Sequence, residues 1–354
     1  MSRLSRYIIA HIFGLTAIVA LALLAIHTFV SFVAQIDEIG IGRFGYRELL
    51  LYTLWLAPSG LYVMLPIVAM LGTLMGLGTL ASQSELTAMR AAGVSLLRLG
   101  MATLGGGLLL GALCVVLGDW LAPRGQVEAE LLMSEAQSGR PAGVARRPVW
   151  LREGDRVFRI RNLVAEDHIA DVEIYTLGPD LNLRTAMTVD EGHYRDGAWQ
   201  FRGVRRTDFS ASGARVFEQA ELDWQGTLSP EVLHLFVLEA DALSTSGLVR
   251  LLGYLRENNL DGSAYALVLA RKIVAPFTVM AMMLFAVPFV LGPLRNTGAG
   301  QRLFVGVLIG LLFYVVNEVS ANTGQLYGWN PLLSAGAPTL AFALFALWRL
   351  HRVR

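Results

Sequence analysis

Few residues in this chain have the chemistry to catalyse a reaction. Its 354 residues include six histidines, one cysteine and one lysine. A phosphate-binding P-loop requires a lysine after its glycine-rich turn, and the only lysine, Lys272, lies in the apolar stretch ALVLARKIV. No histidine begins an H-E-x-x-H zinc motif, and no G-x-S-x-G nucleophile motif occurs. The sequence therefore predicts no catalytic residue and no metal site, and the single Cys114 excludes an internal disulfide framework.

The composition explains why such residues are scarce. Hydrophobic residues make up 54% of the chain, charged residues only 16%, and the mean hydropathy is +0.51. These values are typical of a protein that crosses a membrane several times. The net charge of +1 lacks the basic excess that a nucleic-acid surface needs, so we expect no nucleic-acid partner.

The apolar residues are grouped into runs long enough to cross a membrane. About 20 consecutive apolar residues span the hydrocarbon core as a helix. Six runs meet this length: residues 7–33, 49–80, 96–121, 265–291, 302–317 and 331–348. The first run is too long for the apolar part of a signal peptide and is interpreted as a retained anchor.

Loop charges predict the orientation of these spans. Arginines cluster on one side of the membrane: Arg3, Arg6, Arg90, Arg98, Arg295, Arg302, Arg349, Arg352 and Arg354. The loop between the fifth and sixth runs, residues 319–330, has no lysine or arginine. Because basic loops remain in the cytoplasm, both termini and residues 84–95 are predicted to be cytoplasmic.

A polar stretch separates the third and fourth runs and reads as β-structure. Five segments within residues 156–224 alternate polar and apolar residues, with turn-forming residues between them. We predict an antiparallel sandwich or roll over residues 123–240, on the side of the membrane opposite the termini. Residues 241–264 are predicted to form a connector helix. The predicted fold is thus a membrane α-helical protein, with six transmembrane helices over residues 1–122 and 265–354 and an inserted extracytoplasmic all-β domain.

The short loop SELTAMRAAGVS, residues 84–95, resembles a separate capped helix. Ser82 is predicted to be its N-cap, Glu85 to complete a capping box, and Gly93 to end the helix in the left-handed conformation. Glu85 then has two interpretations. It either caps the helix and complements its dipole, or it pairs with an arginine of a partner motor domain.

Four segments in register resemble one transporter family. SELTAMRAAGVS, GDWLAPRGQ (118–126), EADALSTSGL (239–248) and LGPLR (291–295) are similar to segments of the lipopolysaccharide-export ABC transporter permeases, the LptF/LptG family. The layout of three spans, a β domain and three spans is also similar, so the resemblance covers the whole chain. FVAQIDEIGIGRF (32–44) and the ALSTSGL segment resemble the LptG subunit more than LptF.

The resemblance implies that the inserted domain, residues 123–240, is a periplasmic all-β jellyroll-like domain, and it also implies the partners and the role of the short helix. Such a subunit pairs with an LptF-like permease subunit, an LptB-like ATPase dimer, an LptC-like bitopic subunit and an LptA-like periplasmic bridge. The complex extracts lipopolysaccharide from the inner membrane, and ATP and Mg are bound by the ATPase rather than by this chain. The short helix would be the coupling helix that contacts the ATPase, with the residues Ser84, Glu85, Leu86, Met89, Arg90 and Gly93.

Lipopolysaccharide carries phosphates and acyl chains, so its site should combine cations with apolar surface. Arg271 and Lys272 are the leading cations, although they also suit simple snorkelling to headgroups. Other candidates are Arg124, a periplasmic-edge cation, and Asp37 and Glu38, which stand where family members carry basic residues and would need a bridging divalent cation. Candidate acyl contacts, each also explained by helix packing, are Phe29, Phe32, Tyr62, Phe304 and Phe313.

Two other functions compete with transport by a partner-driven permease. A non-transporting membrane scaffold would use its β domain to dock periplasmic partners. A proton-coupled lipid carrier is disfavoured, because its carboxylates should lie near mid-membrane, whereas Asp119 and Glu318 lie near the ends of spans. Three G-x-x-x-G pairs, beginning at Gly72, Gly107 and Gly306, allow close helix contact either within the bundle or with another subunit.

Overall fold

A computed structural model describes residues 3–138, 149–165, 167–180, 182–210, 213–224, 229–237, 239–292, 294 and 297–352. Arg295 and Arg354, two of the cations used to predict orientation, lie outside these ranges. The chain forms two compact units. The first, called here the helix unit, contains residues 1–36, 53–126 and 263–354; the second, the sheet unit, contains residues 37–52 and 127–262.

The helix unit contains the long helices and one short one. The helices are α1 (Arg3–Ala34), α2 (Tyr46–Ser82), α3 (Glu85–Ala91), α4 (Leu96–Val116), α8 (Ser263–Leu291), α9 (Ala299–Leu326) and α10 (Pro331–Arg352). A π-helical turn, Leu117–Leu121, joins α4 without a break to α5 (Ala122–Ser138). Six helices of the described chain are long and apolar enough to cross a membrane: α1, α2, the continuous α4–α5 helix, α8, α9 and α10. The predicted fifth span, residues 302–317, was too short, because α9 continues through the polar residues at its end.

Glycines bring the helices of the bundle into close contact. A Cβ atom on Gly76 of α2 would lie 2.9 Å from the Cα atom of Ile12 in α1. One on Gly107 of α4 would lie 3.3 Å from Met280 in α8, and one on Gly306 of α9 would lie 2.5 Å from Leu71 in α2. All three G-x-x-x-G pairs therefore serve packing within this chain, which answers the question that the sequence left open.

Buried hydroxyl groups in the bundle are satisfied locally. The hydroxyls of Thr16, Thr73 and Thr103 each donate to the carbonyl four residues earlier in their own helix, at 2.7–3.0 Å. The hydroxyls of Thr278 and Thr339 lie 2.8 Å apart and link α8 to α10. Each polar group thus has a partner in a region where water cannot supply one.

The sheet unit is built on one antiparallel sheet. Its strands are β1 (Val149–Glu153), β2 (Arg156–Ala165), β3 (His168–Leu177), β4 (Leu183–Arg195), β5 (Ala198–Ser210) and β6 (Gly213–Trp224). Each strand pairs with the next along the chain, which makes the sheet a meander of six described strands. The predicted fold class, a helical membrane protein with an inserted antiparallel β domain, is confirmed.

The buried face of the sheet changes phase along a line that crosses four strands. One row of paired, buried residues consists of Leu163, Ile169, Gly192 and Phe201. A second row contains Ile160, Val172 and Val189, each three residues from the first row along its own strand, and Val204 of β5 is likewise buried three residues from Phe201. A regular strand turns every second residue inward. A spacing of three residues therefore means that one extra residue is inserted, at the same level, in each of the four strands β2 to β5. Positive φ angles at Asp171 (53°) and Gly203 (65°) accompany this phase-shift line.

The sheet unit also contains most of α5, from residue 127 onward, and two further helices. These are α6 (Pro230–Val237), whose Leu233 joins the core of the sheet, and α7 (Thr245–Glu257). The hydroxyl of Tyr254 in α7 donates to the carbonyl of Arg152 in β1 at 3.3 Å. Burial raises the pKa of Tyr254 to about 12, with a smaller contribution from Glu153, so the hydroxyl keeps the proton that it donates.

The boundaries of this region differ from those predicted. Residues 123–240 were predicted to be β-structure, but α5 continues as a helix as far as Ser138. Residues 241–264 were predicted to form a connector helix, whereas α7 is shorter and belongs to the sheet unit. The burial of Leu248, Leu251 and Leu255 on α7 explains why: this apolar face packs inside the unit.

Candidate functional site

The first candidate site is α3, the seven-residue helix between the second and third spans. Leu86 is its buried residue, while Thr87, Ala88 and Arg90 are exposed. Gly93 ends the helix with φ 88°, and the next residue donates from its backbone to the carbonyl of Met89. A glycine in this conformation is a common helix stop, so the prediction for Gly93 is confirmed.

The start of α3 differs from the predicted capping box. Ser82 is the last residue of α2, and its hydroxyl donates to the carbonyl of Thr79. Ser84 is the N-cap instead, with φ 62° and no side-chain cap. Glu85 is therefore the first residue of the helix rather than the third, and it is too early to bond back to Ser82 in a capping box.

A hydrogen bond ties α3 to the first span. The hydroxyl of Tyr7 in α1 donates to the Glu85 carboxylate at 2.9 Å. Beside α3, a groove of about 380 Å³ is lined by Ala81, Leu86, Thr87, Arg90, Ala91, Val290 and Leu291. Because Leu350 of α10 packs near Gly100 of α4, the end of α10 lies at the same end of the bundle as the start of α4. Glu85 thus has Tyr7 as a partner within the chain, while the side of α3 opposite Leu86 faces solvent.

The second candidate site contains the two adjacent cations of α8. Arg271 donates to the Glu318 carboxylate of α9 at 3.0 Å, and both side chains are about one-third exposed. Lys272 lies 3.8 Å from the carboxylate of Asp119, and its side chain is only 6% exposed. The two carboxylates that stand near the ends of spans in the sequence therefore neutralise the two cations.

The π-helical turn explains the position of Lys272. In a regular helix the carbonyl of Gly118 would accept from the backbone of Ala122, but that amide donates to Leu117 instead. The next residue, Pro123, has no N–H to donate. The Gly118 carbonyl accepts from the Lys272 ammonium at 2.6 Å. The Lys272 side chain is therefore buried and bonds to the backbone, and the prediction that it faces lipid phosphate does not fit this burial.

The remaining predicted lipid contacts fall into different environments. Phe29 and Phe304 are exposed on α1 and α9, whereas Phe32 and Tyr62 are half-buried. Phe313 is only 4% exposed, and its ring packs edge-on against Phe342 at 5.0 Å. Phe313 is thus a core residue rather than a lipid-facing one. Arg124 is exposed, with its guanidinium 4.4 Å from the centre of the Trp120 ring.

The two acidic candidates belong to the sheet unit. Asp37 is exposed, and the Glu38 carboxylate accepts from the side-chain amide of Gln137 at 2.7 Å. In the same region, the backbone N–H of Arg43 donates to the carbonyl of Ala136 at 2.6 Å. These bonds fix the loop after α1 against the end of α5.

Comparison with known proteins decides the family. Residues 6–352 match the family model described as lipopolysaccharide export system permease LptF/LptG. The chain belongs to this family. It is 30% identical to the lipopolysaccharide export system permease protein LptG of Haemophilus influenzae, over 100% of this chain and 99% of the relative. It is 28% identical to the protein of the same name from Escherichia coli K12, over 99% of this chain and 98% of the relative. The predicted resemblance to this family, and to LptG within it, is confirmed.

In this LptF/LptG family member, the sequence analysis did not assign three residues to the two candidate sites: Asp119, Glu318 and Tyr7. Asp119 and Glu318 carried a signal, because isolated carboxylates near the ends of apolar helices need cationic partners. Tyr7, the partner of Glu85, carried none: the two residues are 78 positions apart, and only the packing of α1 beside α3 brings them together.

Proposed function

We propose that this chain is the permease subunit of an ABC transporter that extracts lipopolysaccharide from the inner membrane and passes it to a periplasmic β-jellyroll bridge toward the outer membrane. The energy comes from ATP, bound with Mg by a separate ATPase dimer. The other partners are an LptF-like permease subunit and an LptC-like bitopic subunit. The name of the relatives, lipopolysaccharide export system permease protein LptG, supports the substrate and the role as a permease.

The single observation that carries the coupling mechanism is the construction of α3. A seven-residue helix cannot be stable alone in water, so the contacts of Leu86 and Glu85 with the bundle must hold it. Its exposed side and the adjacent groove remain available to a partner. A force applied to α3 would pass directly to α1 through Tyr7 and to the bundle through Leu86.

This function requires a particular orientation. In our proposal α3 and both termini face the cytoplasm, where ATP is available, and the sheet unit faces the periplasm. The arginines near the termini and near α3 support this orientation under the positive-inside rule.

We propose as lipid contacts those candidate residues whose side chains are exposed or partly exposed. Phe29 and Phe304 are exposed apolar side chains suited to acyl chains, and Arg271 remains partly exposed beside Glu318. We assign the phosphate contact to Arg271 rather than to Lys272, because the Lys272 side chain is buried. Movement of α8 against α9 would loosen the Arg271–Glu318 pair and free the guanidinium for phosphate.

The experiment compares Glu85→Arg with Tyr7→Phe in the purified complex, reconstituted in vesicles. Reversing the charge at an interface costs about 2 kcal/mol or more, so we expect Glu85→Arg to weaken ATPase association by roughly 30-fold. Tyr7→Phe removes the internal hydrogen bond but leaves the carboxylate, so ATPase association should be retained. Affinity for the ATPase and ATP-dependent release of lipopolysaccharide are both measured.

The pair of variants separates two roles of Glu85. If Tyr7→Phe impairs release as strongly as Glu85→Arg while ATPase binding is normal for both, Glu85 acts only by holding α3 to α1. Normal binding and normal release with Glu85→Arg would remove α3 from the coupling mechanism.

A further inference from the structure

We propose that the sheet unit binds one divalent transition-metal ion, with zinc as the best match, through His168, Glu191 and His193. The ligand atoms of these three side chains all lie within 4.8 Å of one another. They lie on two neighbouring strands, β3 and β4, and nothing in the transport mechanism uses them.

The register of the sheet brings the three residues together. His168 of β3 is paired directly with His193 of β4, and Glu191 lies two residues before His193. Residues two apart on a strand share a face, and directly paired residues have Cβ atoms about 5 Å apart. Ile169 and Gly192 turn toward the core, so His168, His193 and Glu191 occupy the opposite, solvent-accessible face.

The three side chains lie close to one another on this face. The two imidazole rings stack with centroids 4.1 Å apart, and the His193 Nε2 atom lies 3.9 Å from the Glu191 carboxylate. The Nε2 atom of His168 is buried and has no hydrogen-bond partner among the described residues. A buried ring nitrogen without a partner costs free energy, and a metal ion would remove that cost.

The donor set selects the ion. Zinc takes imidazole nitrogen and carboxylate oxygen at about 2.0–2.2 Å, and two histidines with one glutamate leave a fourth position for water. Magnesium and calcium prefer all-oxygen sites and would bind weakly here. Arg202, the cation paired with Glu191 across β4 and β5, bonds to Glu221 of β6 instead, so the Glu191 carboxylate is left for the metal.

Binding would fasten β3 to β4. A ligand that binds only the folded strands adds its binding free energy to the stability of the pair. The inference is independent of the proposed transport function, because loss of the metal leaves α3 and the ATPase interface unchanged.

The test uses the full chain in nanodiscs, without a histidine tag and after treatment with a chelator. Zinc binding is measured by titration calorimetry, and cobalt binding by its visible absorption, which reports on the ligands. We expect one zinc ion per chain, and at least a tenfold loss of affinity in each of His168→Gln and His193→Gln. Glu218→Gln is the matched control on β6, and its affinity should equal that of the unaltered chain.

A second measurement protects the result against misfolding. Hydrogen exchange of the β3 and β4 amides without metal shows whether each variant keeps its sheet, and added zinc should slow exchange in the unaltered chain and in Glu218→Gln but not in the two histidine variants. Equal zinc affinity in the unaltered chain and both folded histidine variants would overturn the proposal. Absence of the cobalt absorption in the unaltered chain would overturn it as well.

Discussion

At the residue scale, the Glu173 carboxylate of β3 accepts hydrogen bonds from three side chains. It accepts from the Tyr175 hydroxyl at 2.7 Å, from Arg159 at 3.0 Å and from Arg161 at 2.6 Å. The hydrogen bond from Tyr175 contributes most to a lowered pKa of Glu173; burial opposes it, but the hydrogen bond from Arg159 and the positive charges of both arginines keep the pKa below its usual value. The ionised form of Glu173 is therefore stabilised in the folded sheet.

We predict that Glu173→Gln destabilises β2 and β3 by about 1 kcal/mol at neutral pH, or roughly a fivefold loss of hydrogen-exchange protection. Because the folded pKa is lowered, the contribution of Glu173 is fully present above the pKa of an unfolded glutamate, about 4.3, and is lost as the pH falls through the folded value. The difference between the variant and the unaltered chain should thus disappear in acid. Glu218→Gln, which breaks an exposed pair with Arg205, should change protection little at either pH. A difference for Glu173→Gln that persists undiminished in acid would contradict the electrostatic origin.

At the element scale, the π-helical turn sets how closely the third span approaches α2. A Cβ atom on Gly118 would lie 2.5 Å from the Tyr62 ring. We predict that Gly118→Ala lowers the thermal unfolding midpoint in nanodiscs, at a cost of about 1–3 kcal/mol for overpacking. Gly105→Ala is the control in the same continuous helix, because its Cβ would meet only Ile9 at 3.7 Å. Helix propensity should leave that control neutral or more stable.

A second substitution tests whether the ring is the obstacle. Tyr62→Leu should recover part of the loss when combined with Gly118→Ala. An additive double variant would instead trace the loss to the turn itself.

The same element shows where prediction from sequence succeeds and fails. Long apolar runs fix the existence of a span, because burial of about 20 apolar residues outweighs local preferences. The alternating segments identified the strands because a strand with one buried face needs an apolar residue at every second position. The third span, however, was predicted to end at residue 121, whereas the helix continues through Pro123 and Gly125, and a side chain from another helix, Lys272, bonds to the Gly118 carbonyl that the π-helical turn leaves open. The capping box at Ser82 failed because α2 extends to that residue, and the burial of Phe313 depends on Phe342 in another helix.

At the scale of the whole molecule, the spans differ in how much of their surface is covered. The apolar segments of α2 and α8 are mostly buried, while those of α1 and α9 are mostly exposed. Exposed apolar surface suits contact with membrane lipid or with another subunit. In the transport path proposed above, α1 and α9 carry the exposed side chains Phe29 and Phe304.

We predict that photo-crosslinkers at positions 29 and 304 capture lipopolysaccharide in the assembled complex. A crosslinker at Leu344 of α10 is the control, since this residue has similar exposure but no assigned role. The products are identified by mass after crosslinking in vesicles with and without ATP. Position 344 should yield bulk phospholipid only. Equal capture of lipopolysaccharide at all three positions would mean that the side chains report general membrane exposure.

The phase-shift line across β2 to β5 has a consequence for how this domain changes over evolution. Because neighbouring strands insert their additional residue at one shared level, a single-residue deletion in one strand would turn half of that strand inside out relative to its neighbours. Acceptable length changes must then occur in all four strands together or be confined to the connecting loops. The middle of the sheet should therefore keep a constant length among relatives, with insertions and deletions found only at the ends of the strands and in the loops.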